Sequence, residues 1–273
     1  MMITRAGALV CAVIACGAAS AGTHRQPPAR PSPAIVWLVL VDDLHIDFRN
    51  TGRLHALLRT VATELFEDGD SMGILSGGGP SQVAGELTAD RTVLEQEIPK
   101  LSGAGLKLSE IRASTDEGTS EVHYRMHIAL SSAYNAIGRL RQLRDRRNVI
   151  IYVSNGYLFV SSPADIAAPR VANPFSVQGD RFSADHVRSE VAALIDEARR
   201  ANVTIFAIDP RSMPGGLSVD PAVSAADSDS YVETTRNSLR VLSERTGGFA
   251  IMDEALVEGL RRINSMMRTT ATP

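Results

Sequence analysis

Apolar and polar positions alternate in blocks along this chain. Residues 34 to 41, AIVWLVLV, form an unbroken apolar run, the pattern of a strand covered on both faces. Beyond it, RLHALLRTVATELF (53 to 66) sets Leu54, Leu57, Leu58, Val61 and Leu65 at helical spacing, and EDGD stops it. The pattern continues with a strand SMGILS (71 to 76), a glycine turn, a short strand near QVAGEL (82 to 87), and a helix from Asp90, whose carboxylate can cap it, to about Leu101. A longer helix covers about Ser120 to Leu143, followed by the strand NVIIYVS (148 to 154), a loop rich in Pro and Ala, and a helix over 184 to 200. The strand VTIFAID (203 to 209), a polar loop, a helix over 231 to 245, a short strand GFAIM (248 to 252) and a last helix from about Glu254 complete the series. Apolar strands alternating with helices predict an α/β fold, Rossmann-like and doubly wound, with a mostly parallel sheet of about six strands flanked by helices.

Ligands of such sheets bind at the carboxyl ends of the strands. Three loops meet at that edge: DDLHIDF after the first strand, NGYL after IIYVS, and DPRSMPGG after IFAI. The first of them carries Asp42, Asp43, His45 and Asp47 within six residues, which makes it the natural place for a site.

The N-terminus changes the picture of where the protein acts. MMITRAGALVCAVIACGAASAG has Arg5, an apolar run from Ala6 to about Ala15, then small residues, which is the make-up of an export signal. The run is far shorter than the roughly 20 residues of a membrane span. Residues 1–21 are expected to be removed after Ala19-Ser20-Ala21, whereas a competing reading takes VIAC (13 to 16) as a lipobox and puts lipid on Cys16. Both cysteines fall in this segment, so the remainder has neither disulfide nor thiol chemistry. Residues 22–34, rich in Pro and polar groups, read as a flexible tether to a domain over 35–268. The protein is thus expected in the periplasm or outside the cell, touching a membrane only through a lipid on Cys16. A net charge of −3 with scattered Lys and Arg argues against nucleic acid as a partner.

The strand that ends in Asp, the Gly69-Asp70 turn before the second strand, SNG where a third long strand ends, IFAIDP and LSERTGGFAI together resemble the von Willebrand factor A (VWFA) domain, in particular the VWFA-related secreted proteins of acidobacterial type. The resemblance covers nearly all of residues 35 to 268 and lies in order and spacing, not in one motif. It implies a metal-ion-dependent adhesion site, in which Mg²⁺ or another divalent cation is held by Asp-x-Ser-x-Ser after the first strand, a Thr from a second loop and an Asp after the fourth strand. This chain departs from that pattern. Counted from Asp42 the serine positions hold Leu44 and Ile46, and counted from Asp43 they hold His45 and Asp47; Asn155 stands for the final Asp, and Thr119 or Ser120 offers the hydroxyl. A Leu removes an oxygen and an Asn supplies only a neutral one, so affinity for a hard cation falls. The metal candidates of this degenerate site are Asp42, Asp43, Asp47, Thr119 and Asn155.

Other motifs carry less. HYRMH (123 to 127) places His123 and His127 one above the other on a helix, but lacks the Glu of a zinc protease and an evident third ligand. SGGGPS (76 to 81) reads as a turn, since no Gly-Lys-Ser/Thr follows. No GxSxG elbow occurs, and the basic LRQLRDRRN (140 to 148) reads as a solvated helix end. Residues 161 to 180 and 215 to 229 read as surface loops that decorate the ligand edge, the second of them mobile. The expected function is a non-catalytic, VWFA-like binding module for another protein of the envelope or exterior. The alternatives are a secreted hydrolase, for which Ser154 would need His45 or His186, and a lipid-anchored structural component.

Overall fold

The first apolar run becomes an interior strand of the sheet. In the computed structural model the described residues are 34–78, 84–113, 119–143, 146–158, 184–212, 220–252 and 255–269. Residues 1–21, expected to be an export signal, most of the expected tether, Cys16 and residues 161 to 180 lie outside them, as does the side chain of Thr119. Strand β1 (Ile35–Val41) pairs in parallel with β2 (Ser71–Ser76) on one side and β3 (Arg147–Val153) on the other. With β4 (Val203–Ile208) and β5 (Ala250–Ile251) the sheet has five strands in the order β2-β1-β3-β4-β5, all parallel.

A sixth strand is expected near QVAGEL, and the structure has only two isolated antiparallel bridges there, Leu75 to Ala84 and Met72 to Thr88. Gly85 between them has φ of +70°, which turns the backbone out of the extended form and interrupts the ladder.

Every residue of β1 is buried, and its alternate side chains serve two cores. Val36, Leu38 and Leu40 face one layer, built from α4 (Thr119–Leu140), α5 (Ala184–Arg200) and α6 (Ala225–Glu244). Ile35, Trp37, Val39 and Val41 face the other, built from α1 (Thr51–Leu65), α2 (Arg91–Glu97) and α7 (Leu256–Thr269). Helices on both faces explain why the strands read as continuous apolar runs.

Helix boundaries differ from the expected ones for local reasons. The helix from Asp90 ends at Glu97 and tightens into a 3-10 turn over Ile98–Lys100, because Pro99 cannot donate into an α-helical ladder. A short helix, α3 (Leu108–Ala113), occupies a stretch where periodicity gave no element. Helix α6 starts at Ala225, inside the segment expected to be a mobile loop. Ser224 caps it by accepting from the Asp227 amide at 3.2 Å and donating to Asp227 Oδ2 at 2.7 Å. No described helix is long and apolar enough to cross a membrane.

The basic patch ties elements together. Arg141 pairs with Glu197 of α5 at 2.8 Å, Arg146 donates to Ser71 Oγ at 3.1 Å, and Arg147 donates to the Met267 carbonyl of α7. Arg144 lies outside the described residues.

The Gly69-Asp70 turn has a structural role at the amino-terminal edge of the sheet. Buried Asp70 accepts from the Ile35 amide at 2.9 Å, the Trp37 indole at 3.0 Å and Arg268 of α7 at 2.6 Å. Asp70→Asn keeps the shape but replaces one acceptor oxygen by a donor and removes the charge. It is expected to lower the unfolding free energy by about 2 kcal/mol in urea titration. Because this edge is opposite the loops of interest, partner binding should be unchanged in the same variant.

Candidate functional site

Asp42 ends β1, and its amide donates to the Val153 carbonyl at 2.9 Å, so the sheet register carries it to the end of β3. There its carboxylate, with no exposed surface, is surrounded by donors. His45 Nδ1 lies 2.8 Å from Oδ1, while Ser154 Oγ at 2.7 Å, Tyr157 OH at 2.8 Å and Tyr152 OH at 3.5 Å approach Oδ2. The two tyrosine hydroxyls also bond to each other. Burial, then the charge on Asp42, pushes both phenols well above the ordinary tyrosine value, so they stay protonated. The His45 ring stands edge-on to Tyr157, with centroids 4.8 Å apart.

The metal candidates separate in space and in role. Asp42 and Asn155 come together at the ends of β1 and β3. Asp43 is buried as well, and its backbone carbonyl accepts from the Ala104 amide at 2.7 Å. Ile46, in a serine position of the adhesion motif, is fully buried in the apolar core. Asp47 caps the following 3-10 turn by accepting from the Arg49 amide at 2.8 Å, and pairs with the Arg49 guanidinium at 2.6 Å. That hydrogen-bonded pairing holds its carboxyl below the usual aspartate range. Thr119 is the first residue of α4. A hard divalent cation needs several free oxygen lone pairs in a near-octahedral array. Here the leading carboxylate is already filled by an imidazole and hydroxyl donors, and a Leu and an Ile stand where hydroxyls would. Counted from Asp42, this donor set does not fit Mg²⁺.

Neighbouring loops complete the edge. The Asp209 amide donates to the Ile251 carbonyl at 3.0 Å, which fixes the loop after β4 against β5. Its buried carboxylate is held by Arg211 Nε and Arg236 Nε, each at 2.8 Å. Arg211 also donates to the Asn155 carbonyl at 2.7 Å and to Thr235 Oγ1 at 3.0 Å, so one guanidinium joins three elements. Asp220 accepts from the Ser109 amide at 2.9 Å and the Ser109 hydroxyl at 2.6 Å, which ties the approach to α6 to α3. Those bonds pull its carboxyl down to about 2.

Together these loops line a small solvent-open cavity of about 70 Å³, whose wall includes His45, Asp47, Arg49, Lys107, Asn155, Arg211, Asp220 and Tyr231. The Asn155 side-chain oxygen is buried and accepts no hydrogen bond among the described residues. Burial raises the Tyr231 phenol above its ordinary value. Phe48, next in sequence to the lining residues Asp47 and Arg49, is 68 % exposed, the most exposed of the large apolar side chains among the described residues.

Sequence reasoning placed the loops DDLHIDF, NGYL and DPRSMPGG at this edge by the carboxyl-edge rule and singled out Asp42, Asp43, Asp47 and Asn155, but gave no role to Tyr157, Asp209, Arg211, Asp220 and Tyr231. Nothing local marks Tyr157 as a partner of Asp42.

No family model matches the chain, and no curated protein does. Among solved structures, an aerotolerance-related membrane protein from Bacteroides fragilis NCTC 9343 aligns over 87% of this chain and 100% of its own, at 9% identity and a TM-score of 0.49. The vWF domain of the type V pili tip protein Mfa5 from Porphyromonas gingivalis aligns over 89% and 98%, at 13% identity and 0.48. The pilus adhesin SpaC from Lactobacillus rhamnosus GG aligns over 86% and 30%, at 11% identity and 0.46. In the order of its elements and in the motifs at its strand ends, the chain is a doubly wound α/β domain similar to the von Willebrand factor A type.

Proposed function

We propose that this protein is an exported binding module that recognises another protein through the cavity at the carboxyl edge of its sheet, directly and without a bridging cation. The observation that carries the reading is the composition of that edge. Charges of both signs, a buried amide oxygen with an open lone pair and an exposed phenylalanine between the lining residues Asp47 and Arg49 are the parts of a recognition surface, with Phe48 as the apolar anchor. Asp42 shapes the floor and does not itself touch the partner.

The hydrolase reading finds no support in the geometry. Ser154 has no exposed surface, donates to Asp42 and accepts from the Gly156 amide at 2.9 Å. A nucleophile needs an adjacent base and access to substrate. His45 turns its Nδ1 to Asp42, and His186 pairs with Glu190 on α5. Export rests on the signal-like residues 1–21, with 22–34 as a tether and 35–268 as the folded module; lipid on Cys16 is the alternative way of staying at a membrane.

The test is site-specific photocrosslinking in the producing cells, with a benzophenone amino acid at position 48 or, as a control on α2, at Val93. Position 48 is expected to give a discrete protein adduct that Val93 does not, that drops about tenfold with Arg49→Glu, and that survives EDTA. Equal adducts from both positions would sink the assignment of the face. Loss of the adduct in EDTA would overturn the cation-free reading.

A further inference from the structure

Away from the cavity, in the layer formed by α4 and α5, three metal-ligating side chains converge. His186 and Glu190 lie one turn apart on α5, four residues being the spacing that stacks side chains on one helix face. His127 faces them from α4. The Glu190 carboxylate has no exposed surface, and its Oε1 meets both rings: His186 Nε2 at 3.2 Å and His127 Nδ1 closer still. Its other oxygen, Oε2, is buried and accepts no hydrogen bond among the described residues. Burial lifts this carboxyl to about 7, against the opposing pull of His186. The binding surface described above uses none of these groups.

A buried carboxylate left half satisfied is costly, and a hydrogen-bonded cluster alone gives Oε2 nothing to do. One ligand atom from each residue lies within 4.8 Å of the others. Around a tetrahedral zinc ion, ligand atoms stand about 3.4 Å apart, so side-chain rotation suffices to close the set. Imidazole with carboxylate suits borderline transition metals and not Mg²⁺ or Ca²⁺.

We propose that His127, His186 and Glu190 form a site for a divalent transition metal of the zinc class, which joins α4 to α5 and leaves its fourth position to solvent. Two ligands come from one helix and one from another 59 or more residues earlier in the chain, so the ion acts as a cross-link between two helices of the same layer. HYRMH on α4 supplies one ligand, and its expected second histidine, His123, is not part of the cluster.

The test uses the full chain purified without a histidine tag. Titration with Co²⁺ is expected to give the intense visible ligand-field absorption of a four-coordinate ion at one equivalent, displaced by Zn²⁺, and Zn²⁺ is expected to raise the melting temperature. His186→Gln and Glu190→Gln each remove a ligand while keeping volume, and loss of an outer hydrogen-bond partner alone costs about 10- to 100-fold in metal affinity. Removal of a ligand is therefore expected to weaken binding at least about 100-fold, with His55→Ala as an unaffected control. His186 is partly exposed, so its variant should fold even if Glu190→Gln does not, and circular dichroism checks both. Absence of the four-coordinate spectrum, or affinity unchanged in His186→Gln, would overturn the site and leave a hydrogen-bonded cluster only.

Discussion

Asp42→Ala is expected to lower the unfolding free energy by about 3 to 5 kcal/mol, the range for removing one member of a buried, charge-assisted network. The loss has a definite source. His45, Ser154 and Tyr157 all meet this carboxylate within 2.8 Å, and the buried Ser154 and Tyr157 cannot turn to water without moving a loop. Two of them come from the segment after β3, so the substitution uncouples the ends of β1 and β3 at the floor of the cavity. Chemical denaturation measures the energy, and tyrosine fluorescence or absorbance reports the release of Tyr152 and Tyr157. Asp42→Asn should recover part of the loss, since one acceptor oxygen remains. If Asp42→Ala unfolds at the same denaturant concentration as the parent, the carboxylate is not the organiser of this edge. Equal destabilisation with and without millimolar Mg²⁺ is the further expectation, because the network already occupies the lone pairs a cation would need.

Gly156→Ala should be comparably damaging, at about 2 to 5 kcal/mol, with failure to accumulate folded protein as the extreme result. Two independent penalties add. Gly156 has φ of +79°, a conformation that costs an L-residue about 1 to 2 kcal/mol. A methyl group there would also sit 2.1 Å from the Thr235 carbonyl of α6, inside any permitted contact, and overpacking typically costs about 1 to 3 kcal/mol more. The struck atom is helix backbone and cannot rotate away. By contrast, Gly69→Ala meets nothing within 4 Å and pays only for its φ of +91°. Thermal unfolding of the two variants side by side separates strain from collision. Equal melting temperatures would show that α6 yields freely, and that the loop after β3 is not packed as described.

The sheet was legible in the sequence because its chemistry is local. A strand covered on both faces needs only to be apolar throughout, and VWLVLV, VIIYV and VTIFAI announce that without reference to anything else. Helix ends were legible where a cap was weighed, as at Asp90, and misplaced where one was overlooked. Ser224-Ala225-Ala226-Asp227 is a capping sequence hidden in a run of small residues that reads as a loop. The site was half legible. Asp42, Asp43 and Asn155 are marked by following apolar strands, but what Asp42 binds is decided by Ser154 and Tyr157, more than a hundred residues away, and no spacing rule links them. The VWFA resemblance supplied a role for the acidic loop, while the buried Ile46 and the imidazole on Asp42 gave it a different one. The α4–α5 cluster was missed for the same reason: HYRMH shows one histidine pair on one helix, and the ligands that converge belong to two.

The position of β1 in the interior of the sheet has a consequence for how the chain matures. Its two neighbours are made at different times: β2 follows after some 30 residues, but β3 only after a further 70. Until α4 and then β3 emerge, β1 has one uncovered face and one open flank, and non-local pairings of this kind form slowly. The nascent protein therefore stays loose for most of its synthesis. That is the condition in which a holding chaperone can grip VWLVLV, and it hands the timing of collapse to the second half of the chain.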